Sequence, residues 1–349
     1  MPSPEELATQ AEYYLNALDL ASEEYEFLRL DREAYQRSVF MDHRIRSGTQ
    51  EPVRASLDSI QKLVARLPLA PAIKPINYIF HTAFCCSTLI SRCLAIEGIC
   101  NVLREPSVLM QMANYKRVGN PYFLDAGRQQ TLLNTVLFLL TKTAGEGETT
   151  LIKPTNAANN LAVEIVRHKR THCVLLLYSN LEQFLVSIIK KGEEGRAFVR
   201  KLFNVIRMDS ERTSALSMES LSQLTDLQIA AFAWYLQIDT YLKLIDSYPS
   251  ANLRTLDCDA FLADPVGTLR KLCDYFGMTV KTRILEDIVM GPVFRKYSKN
   301  DVQNYDASVR AAENARIAEQ YRTTINGILA WSDHIRPEGP VLLPLPRAL

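Results

Sequence analysis

From residue 76 onward, short apolar runs alternate with helical stretches, and this alternation constrains the fold more than any other feature of the chain. The clearest run, residues 172–178, reads His-Cys-Val-Leu-Leu-Leu-Tyr and is apolar at nearly every position. A half-exposed strand alternates apolar and polar residues, so a continuous run indicates a strand covered on both faces, as in parallel sheets. Further strands are predicted at 76–81, 101–104, 149–153 and 253–256, with helices between them. The pattern predicts a doubly wound, mostly parallel α/β sheet flanked by helices.

The N-terminal region has a different pattern. Four apolar residues recur there at spacings that suit one face of a helix, namely Tyr14, Leu18, Tyr25 and Leu28. We therefore expect one or two helices within residues 4–42 and another helix at 55–67, before a proline-rich break. These features divide the chain into an N-terminal helical extension (1–70), an α/β domain (71–335) and a tail (336–349).

Composition excludes several classes of protein. Of 349 residues, 47% are hydrophobic and 23% charged, which is enough apolar material for a large core. The net charge of +1 provides no general attraction to nucleic acid or to an anionic membrane. The start of the chain does not resemble a signal peptide, and no apolar stretch is long enough to span a bilayer, so we expect a cytoplasmic protein. The seven cysteines form no CxxC pair, so they are expected to be reduced, and no metal site is expected.

The first strand-to-helix turn is the first candidate site, because ligands of doubly wound sheets bind beyond the carboxyl ends of the strands. It reads Thr82-Ala83-Phe84-Cys85-Cys86-Ser87-Thr88. Backbone N–H groups and hydroxyls at the start of a helix favour an anion. The Gly-x-x-x-x-Gly-Lys-Ser/Thr phosphate-binding pattern is absent, so an ordinary helix cap is the alternative interpretation.

Two later turns carry a carboxylate and a buried cation. Glu105 follows the second strand and could act as a general base, the alternative being a surface pair with Arg104. Lys153 ends an apolar strand and is therefore expected to point toward the cleft.

Two more segments complete the set of candidates. Ser179 precedes Asn180, a predicted N-cap, and the helix that follows carries Ser187. A loop near residues 294–300 contains Arg295 and Lys299 and could close over a nucleotide, the alternative being a solvated basic loop.

In this order, the motifs resemble those of the sulfotransferase superfamily over about residues 76–300. That family has a P-loop nucleoside triphosphate hydrolase-like fold and uses 3′-phosphoadenosine 5′-phosphosulfate, or PAPS. Its first turn, Thr-x-Arg-Ser-Gly-Ser-Thr-Leu-Leu, is matched here at Thr82, Ser87, Thr88 and Leu89. The resemblance implies that Glu105 is the catalytic base, that Lys153 stabilises the leaving phosphate, and that Ser187 contacts the 3′-phosphate.

The chain departs from the family pattern at cofactor positions. Phe84 stands where the first turn has a cation, and Cys85-Cys86 replaces Ser-Gly. Ser179 stands where the family has the arginine for the 3′-phosphate. Replacement cations are sought among Arg92, Lys153, Lys190, Lys191, Arg295 and Lys299.

Three functions follow for testing. The first is sulfuryl transfer from PAPS to a hydroxyl or amine of a small-molecule or peptide acceptor. The second is a catalytically degenerate binding protein with the same fold. The third is a P-loop kinase-like phosphoryl transferase, although the first turn contains no lysine. The acceptor is not encoded in a recognisable motif, and the N-terminal region would either cover the cleft or support a homodimer.

Overall fold

The computed structural model describes residues 2–42, 44–45, 51–67, 75–143, 145, 147–214, 217–295, 307–335 and 339–349. The chain forms two compact units. The first comprises Met1–Ile79, Ile90–Val174 and Cys273–Lys281, and the second comprises Phe80–Leu89, Leu175–Leu272 and Thr282–Leu349. The predicted domain boundary at residues 68–75 falls largely outside the described residues.

The secondary structure alternates strands and helices from residue 76, as the sequence predicts. The strands are β1 (Tyr13–Asp19), β2 (Glu24–Arg29), β3 (Val53–Ser56), β4 (Ile76–His81), β5 (Cys100–Arg104), β6 (Thr149–Lys153), β7 (Thr171–Tyr178) and β8 (Leu253–Asp257). The helices are α1 (Pro4–Thr9), α2 (Arg32–Arg37), α3 (Leu57–Arg66), α4 (Ser87–Cys93), α5 (Ser107–Arg117), α6 (Pro121–Leu124), α7 (Ala126–Thr141), α8 (Ala162–Arg167), α9 (Leu181–Ile206), α10 (Glu211–Ser214), α11 (Met218–Ser222), α12 (Asp226–Ser247), α13 (Cys258–Ala263), α14 (Pro265–Tyr275), α15 (Thr282–Met290), α16 (Pro292–Arg295), α17 (Ala307–Gln320) and α18 (Arg322–Ile335). None of the described helices is long and apolar enough to cross a membrane.

Five strands form a parallel sheet in the order β5-β6-β4-β7-β8. Strand β6 pairs with β5 from Cys100↔Thr149 to Arg104↔Lys153, and with β4 from Ile76↔Thr150 to Tyr78↔Ile152. Every residue of β4 is buried, as are the last six residues of β7. The continuous apolar runs are therefore explained by strands covered on both faces, and the predicted α/β fold class is confirmed.

The helices predicted within residues 4–42 are wrong over most of that range. Strands β1 and β2 pair antiparallel there, with Tyr14 opposite Leu28 and Leu18 opposite Tyr25, and β3 extends this sheet. The error has a physical reason. Tyr25 and Leu28 are three apart on β2 and therefore lie on opposite faces of the strand. A register shift between Leu15 and Ala17 places Tyr14 opposite Leu28 and Leu18 opposite Tyr25. All four side chains are buried, so burial on both faces of this sheet produces the spacings of three and four that indicate a helix. The N-terminal extension is therefore a small antiparallel sheet with short helices.

The C-terminal tail adds to the second unit. The Thr255 N–H donates to the Arg347 carbonyl at 2.9 Å, and the Leu349 N–H donates to the Thr255 carbonyl at 3.0 Å. The side chain of Leu345 is buried. The single helix predicted at 307–331 is in fact two helices, α17 and α18.

Candidate functional site

Glu105 and Lys153 meet at the carboxyl ends of β5 and β6. The two strands are parallel neighbours that end at the paired residues Arg104 and Lys153, so the residue after Arg104 reaches the end of β6. The Glu105 N–H donates to the Lys153 carbonyl at 2.6 Å. The Lys153 Nζ lies 2.5 Å from Glu105 Oε1. These are the two predicted catalytic residues, and the structure brings them into direct contact.

The two partners differ in their access to solvent. The Lys153 side chain is 0% exposed, whereas 16% of the Glu105 side chain is exposed. A buried ammonium needs a counter-charge, because leaving it unpaired costs several kcal/mol. Glu105 also has a φ of 56°, a left-handed conformation that is unfavourable for a residue with a Cβ and is concentrated at functional sites. The arrangement holds the Glu105 carboxylate against a buried cation, with part of its side chain exposed to solvent.

A segment of the N-terminal region is fastened across the end of β5. We call residues 38–42 and 44–45 the strap. The Met41 N–H donates to the Arg104 carbonyl at 2.7 Å, and the Ser107 N–H donates to the Met41 carbonyl at 3.2 Å. The Arg104 guanidinium donates to the Ser38 carbonyl from Nε at 3.2 Å and from Nη2 at 2.6 Å. The strap therefore borders the loop that carries Glu105.

The strap brings Arg44 to the carboxylate, which the sequence did not predict. Arg44 Nη2 lies 3.9 Å from Glu105 Oε2, and the guanidinium carbon lies 3.7 Å from the centre of the Phe40 ring. Arg44 Nε donates to the Asp42 oxygens at 2.7 and 3.0 Å. Lys153 Nζ lies 5.9 Å from the same Phe40 ring. A motif search could not find Arg44, because its contacts depend on the fold of a region predicted to be helical.

The charge of Arg104 is affected by its surroundings. Burial, and then the nearby Arg92 guanidinium, lower the pKa of Arg104 to about 10. At neutral pH Arg104 therefore remains a cation.

In the second unit, the first turn contains two residues with a left-handed backbone conformation. Phe84 and Cys86 have φ values of 58° and 59°. Cys86 occupies the position at which the resembling pattern has glycine, the residue that adopts this conformation without a steric cost. The turn leads into Ser87 and Thr88, both buried at the start of α4. The turn therefore holds a left-handed cysteine at the position where the family pattern has glycine.

The thiols of this turn have local partners. Cys85 Sγ donates to the Thr82 carbonyl at 2.8 Å, and the Thr82 N–H donates to the Leu177 carbonyl at 3.0 Å. A hydrogen bond between the Cys258 and Cys86 thiols, and then burial, raises the pKa of the Cys258 thiol well above its usual value. Cys258 is therefore expected to be a neutral thiol at physiological pH.

Phe84 makes aromatic contacts at the position where the family pattern has a cation. The Phe84 ring packs edge-on against Phe184, with ring centres 5.6 Å apart, and against Phe198 at 5.3 Å. Both partners lie on α9, a helix that is kinked at Gly192. The side chain at this position serves packing within the second unit.

Ser179 and Asn180 connect β7 to α9. The Asn180 side chain accepts the Gln183 N–H at 2.8 Å, which confirms the predicted N-cap. Trp234 Nε1 donates to the Ser179 carbonyl at 2.8 Å. The Ser179 side chain is fully buried, and its hydroxyl has no hydrogen-bond partner among the described residues. This position holds a small buried hydroxyl where the family pattern has a cation.

The remaining predicted cofactor residues lie elsewhere in the second unit. Ser187 is half-buried on α9, and Lys190 on the same helix forms an ion pair with Glu313. Arg295 is exposed at the end of α16, and Lys299 lies outside the described residues. Glu105 and Lys153 belong to the first unit, so the predicted site residues form two groups, one in each unit.

One cluster of metal-ligand atoms occurs in the described part of the chain. Asp257, Cys258 and Asp259 place one ligand atom each within 4.8 Å of one another. Both carboxylates already accept hydrogen bonds, because the Asp259 N–H donates to Asp257 and the Asn180 amide donates to Asp259. The cluster is explained by capping at the start of α13.

Comparisons with known proteins find structural neighbours only. No family model matches the chain, and no curated protein matches it. Among solved structures it is similar to the "Sulfotransferase Domain from the Curacin Biosynthetic Pathway", with 12% identity and a TM-score of 0.40 over 71% of this chain and 97% of that one. It is also similar to sulfotransferase STF9 from Mycobacterium avium, with 11% identity and a TM-score of 0.40 over 77% and 82% of the two chains. Both neighbours are sulfotransferases, the family that the motifs resemble, and at this level of similarity the likeness does not extend to the chemistry of this chain.

Proposed function

We propose that this chain transfers a sulfuryl group from PAPS to a hydroxyl or amine of a small-molecule or peptide acceptor. The observation that carries the proposal is the Glu105 carboxylate, which pairs with the buried Lys153 at the end of a parallel strand and is 16% exposed. A carboxylate in this setting can accept a proton from an acceptor group. A cytoplasmic location remains a prediction of the sequence.

In the proposed reaction, Glu105 takes the proton from the acceptor hydroxyl or amine as the acceptor atom bonds to sulfur. PAPS would supply the sulfuryl group and leave as 3′,5′-adenosine bisphosphate when its sulfur–oxygen bond to the phosphate breaks. Lys153 holds the carboxylate in place through its 2.5 Å contact. Contact between Lys153 and the leaving phosphate stays a prediction.

The first turn would receive the phosphosulfate end of PAPS. The left-handed residues Phe84 and Cys86 lead the chain into α4, and N–H groups at the start of a helix favour an anion. Ser87 and Thr88 would add hydroxyl donors, and Ser187 on α9 is accessible enough to contact a second phosphate.

The test combines a binding measurement with a transfer assay. A thermal shift with 3′,5′-adenosine bisphosphate at about 100 times its Kd should stabilise the folded state by about 2.7 kcal/mol. Glu105→Gln should reduce transfer to an amine or hydroxyl acceptor by about 10²- to 10⁴-fold without weakening nucleotide binding, and Glu105→Asp should retain part of the activity. Unchanged turnover in the Glu105→Gln variant would show that Glu105 is not the general base.

A second candidate is a binding protein with the same fold and no transfer activity. It is favoured by Phe84, whose ring packs on Phe184 and Phe198 where a cation is expected, and by the buried hydroxyl of Ser179. Absence of a thermal shift at millimolar nucleotide would favour this function. A shift that the variant Ser87→Ala weakens would favour the transferase.

A further inference from the structure

We infer that Arg44 forms an oxyanion subsite beside Glu105, which binds a carboxylate, sulfate or phosphate group of the ligand that reaches this carboxylate. The inference concerns an arginine supplied by the N-terminal strap, a region without a recognised motif. The assignment of the anion to an acceptor or nucleotide rests on the proposed function, whereas the binding of the anion does not.

The first support is the fixed orientation of the guanidinium. It lies on the Phe40 ring at 3.7 Å, and two of its nitrogens donate to Asp42. Because the strap itself is held by hydrogen bonds to Arg104 and Ser107, little conformational entropy remains to be lost when a ligand binds. An arginine held in this way offers a planar fork of donors that suits an oxyanion.

The second support is that donors of Arg44 remain available. Its side chain is 47% exposed, and Nη1 has no hydrogen-bond partner among the residues that the structure describes. The 3.9 Å separation from Glu105 Oε2 is too long for a hydrogen bond. Glu105 is already neutralised by Lys153 at 2.5 Å, so Arg44 is not required as its counter-charge.

The test is a calorimetric titration of the full chain with sodium sulfate at constant ionic strength, adjusted with sodium chloride. The wild type should bind sulfate saturably. Arg44→Met should bind it about tenfold more weakly, because hydrogen bonds to charged groups contribute about 1.5–3 kcal/mol. Arg44→Lys should bind with intermediate affinity, because it keeps the charge and loses the fork.

The matched control is Arg54→Met. Arg54 lies on β3, its side chain is 65% exposed, and it is paired with Glu26 at 3.3 Å. This variant should bind sulfate like the wild type. Circular dichroism and thermal unfolding of both variants establish that they are folded, which is expected since both arginines are substantially exposed.

Titration in the presence of saturating 3′,5′-adenosine bisphosphate separates the two sources of the anion. Sulfate binding that persists assigns the subsite to the acceptor, and competition assigns it to a nucleotide phosphate. The inference is overturned if sulfate does not bind saturably or binds equally to wild type and Arg44→Met. If the nucleotide gives no thermal shift while Arg44-dependent sulfate binding is present, the proposed function fails and the subsite stands.

Discussion

Glutamine in place of Glu105 would leave the Lys153 ammonium buried without its counter-charge. Breaking a buried ion pair by removing one partner typically costs 3–5 kcal/mol. The amide oxygen of glutamine can still accept a hydrogen bond from Nζ, and the Glu105 side chain is partly solvated at 16% exposure. We therefore expect about 3 kcal/mol of destabilisation, at the lower end of that range. For a chain of 349 residues this lowers Tm by about 4 °C.

Substitution of the other partner, Lys153, should reduce the free energy of unfolding by a smaller amount. Lys153→Met removes the buried charge and fills the same volume, and the carboxylate left behind has access to water and to Arg44. We expect about 1–2 kcal/mol of destabilisation for Lys153→Met, and the double variant should be more stable than Glu105→Gln, with a coupling energy of about 2 kcal/mol.

Urea unfolding followed by circular dichroism measures each variant in this cycle. The matched control is Lys116→Met, because Lys116 pairs with Glu164 at 2.7 Å but is 30% exposed, and such a pair should contribute about 1 kcal/mol or less. A loss below about 1 kcal/mol for Glu105→Gln, or a double variant no more stable than Glu105→Gln, would refute the argument that Lys153 depends on this carboxylate.

Three further predictions concern backbone strain and pH. Cys86→Gly should stabilise the protein by up to about 1 kcal/mol in urea unfolding, because φ is 59° there, whereas Cys86→Ala should not. Burial lowers the pKa of His168 to about 4, so the unfolded chain takes up a proton before the folded chain does as the pH falls. The free energy of unfolding should therefore decrease by up to about 3 kcal/mol from pH 6.5 to 4. The variant His168→Gln should lose this pH dependence. Burial lowers the pKa of Lys142 to about 7, so stability should increase by about 2 kcal/mol between pH 7 and 9, and an unchanged slope in Lys142→Met would contradict this.

Local signals predicted the α/β part of the fold with good accuracy. Strand β4 begins and ends at the predicted residues, and Asn180 caps α9 as expected. These features depend on nearest neighbours in sequence, since continuous apolar runs and side-chain caps are local properties. The same local reasoning failed in residues 13–29, where residues buried on both faces of a bulged strand pair recur at spacings of three and four. Pairing between β1 and β2 decided that region.

The site divides in the same way. The sequence alone determined that Glu105 follows one apolar strand and Lys153 ends another, and that the first turn has neither the cation nor the glycine of the family pattern. Only the tertiary structure decided that these two residues form an ion pair, because the order of the strands in the sheet sets which strand ends are neighbours. It also decided that Arg44, 61 residues before Glu105 in the sequence, contacts that carboxylate. Such contacts arise from the packing of distant segments, which no spacing within a motif records.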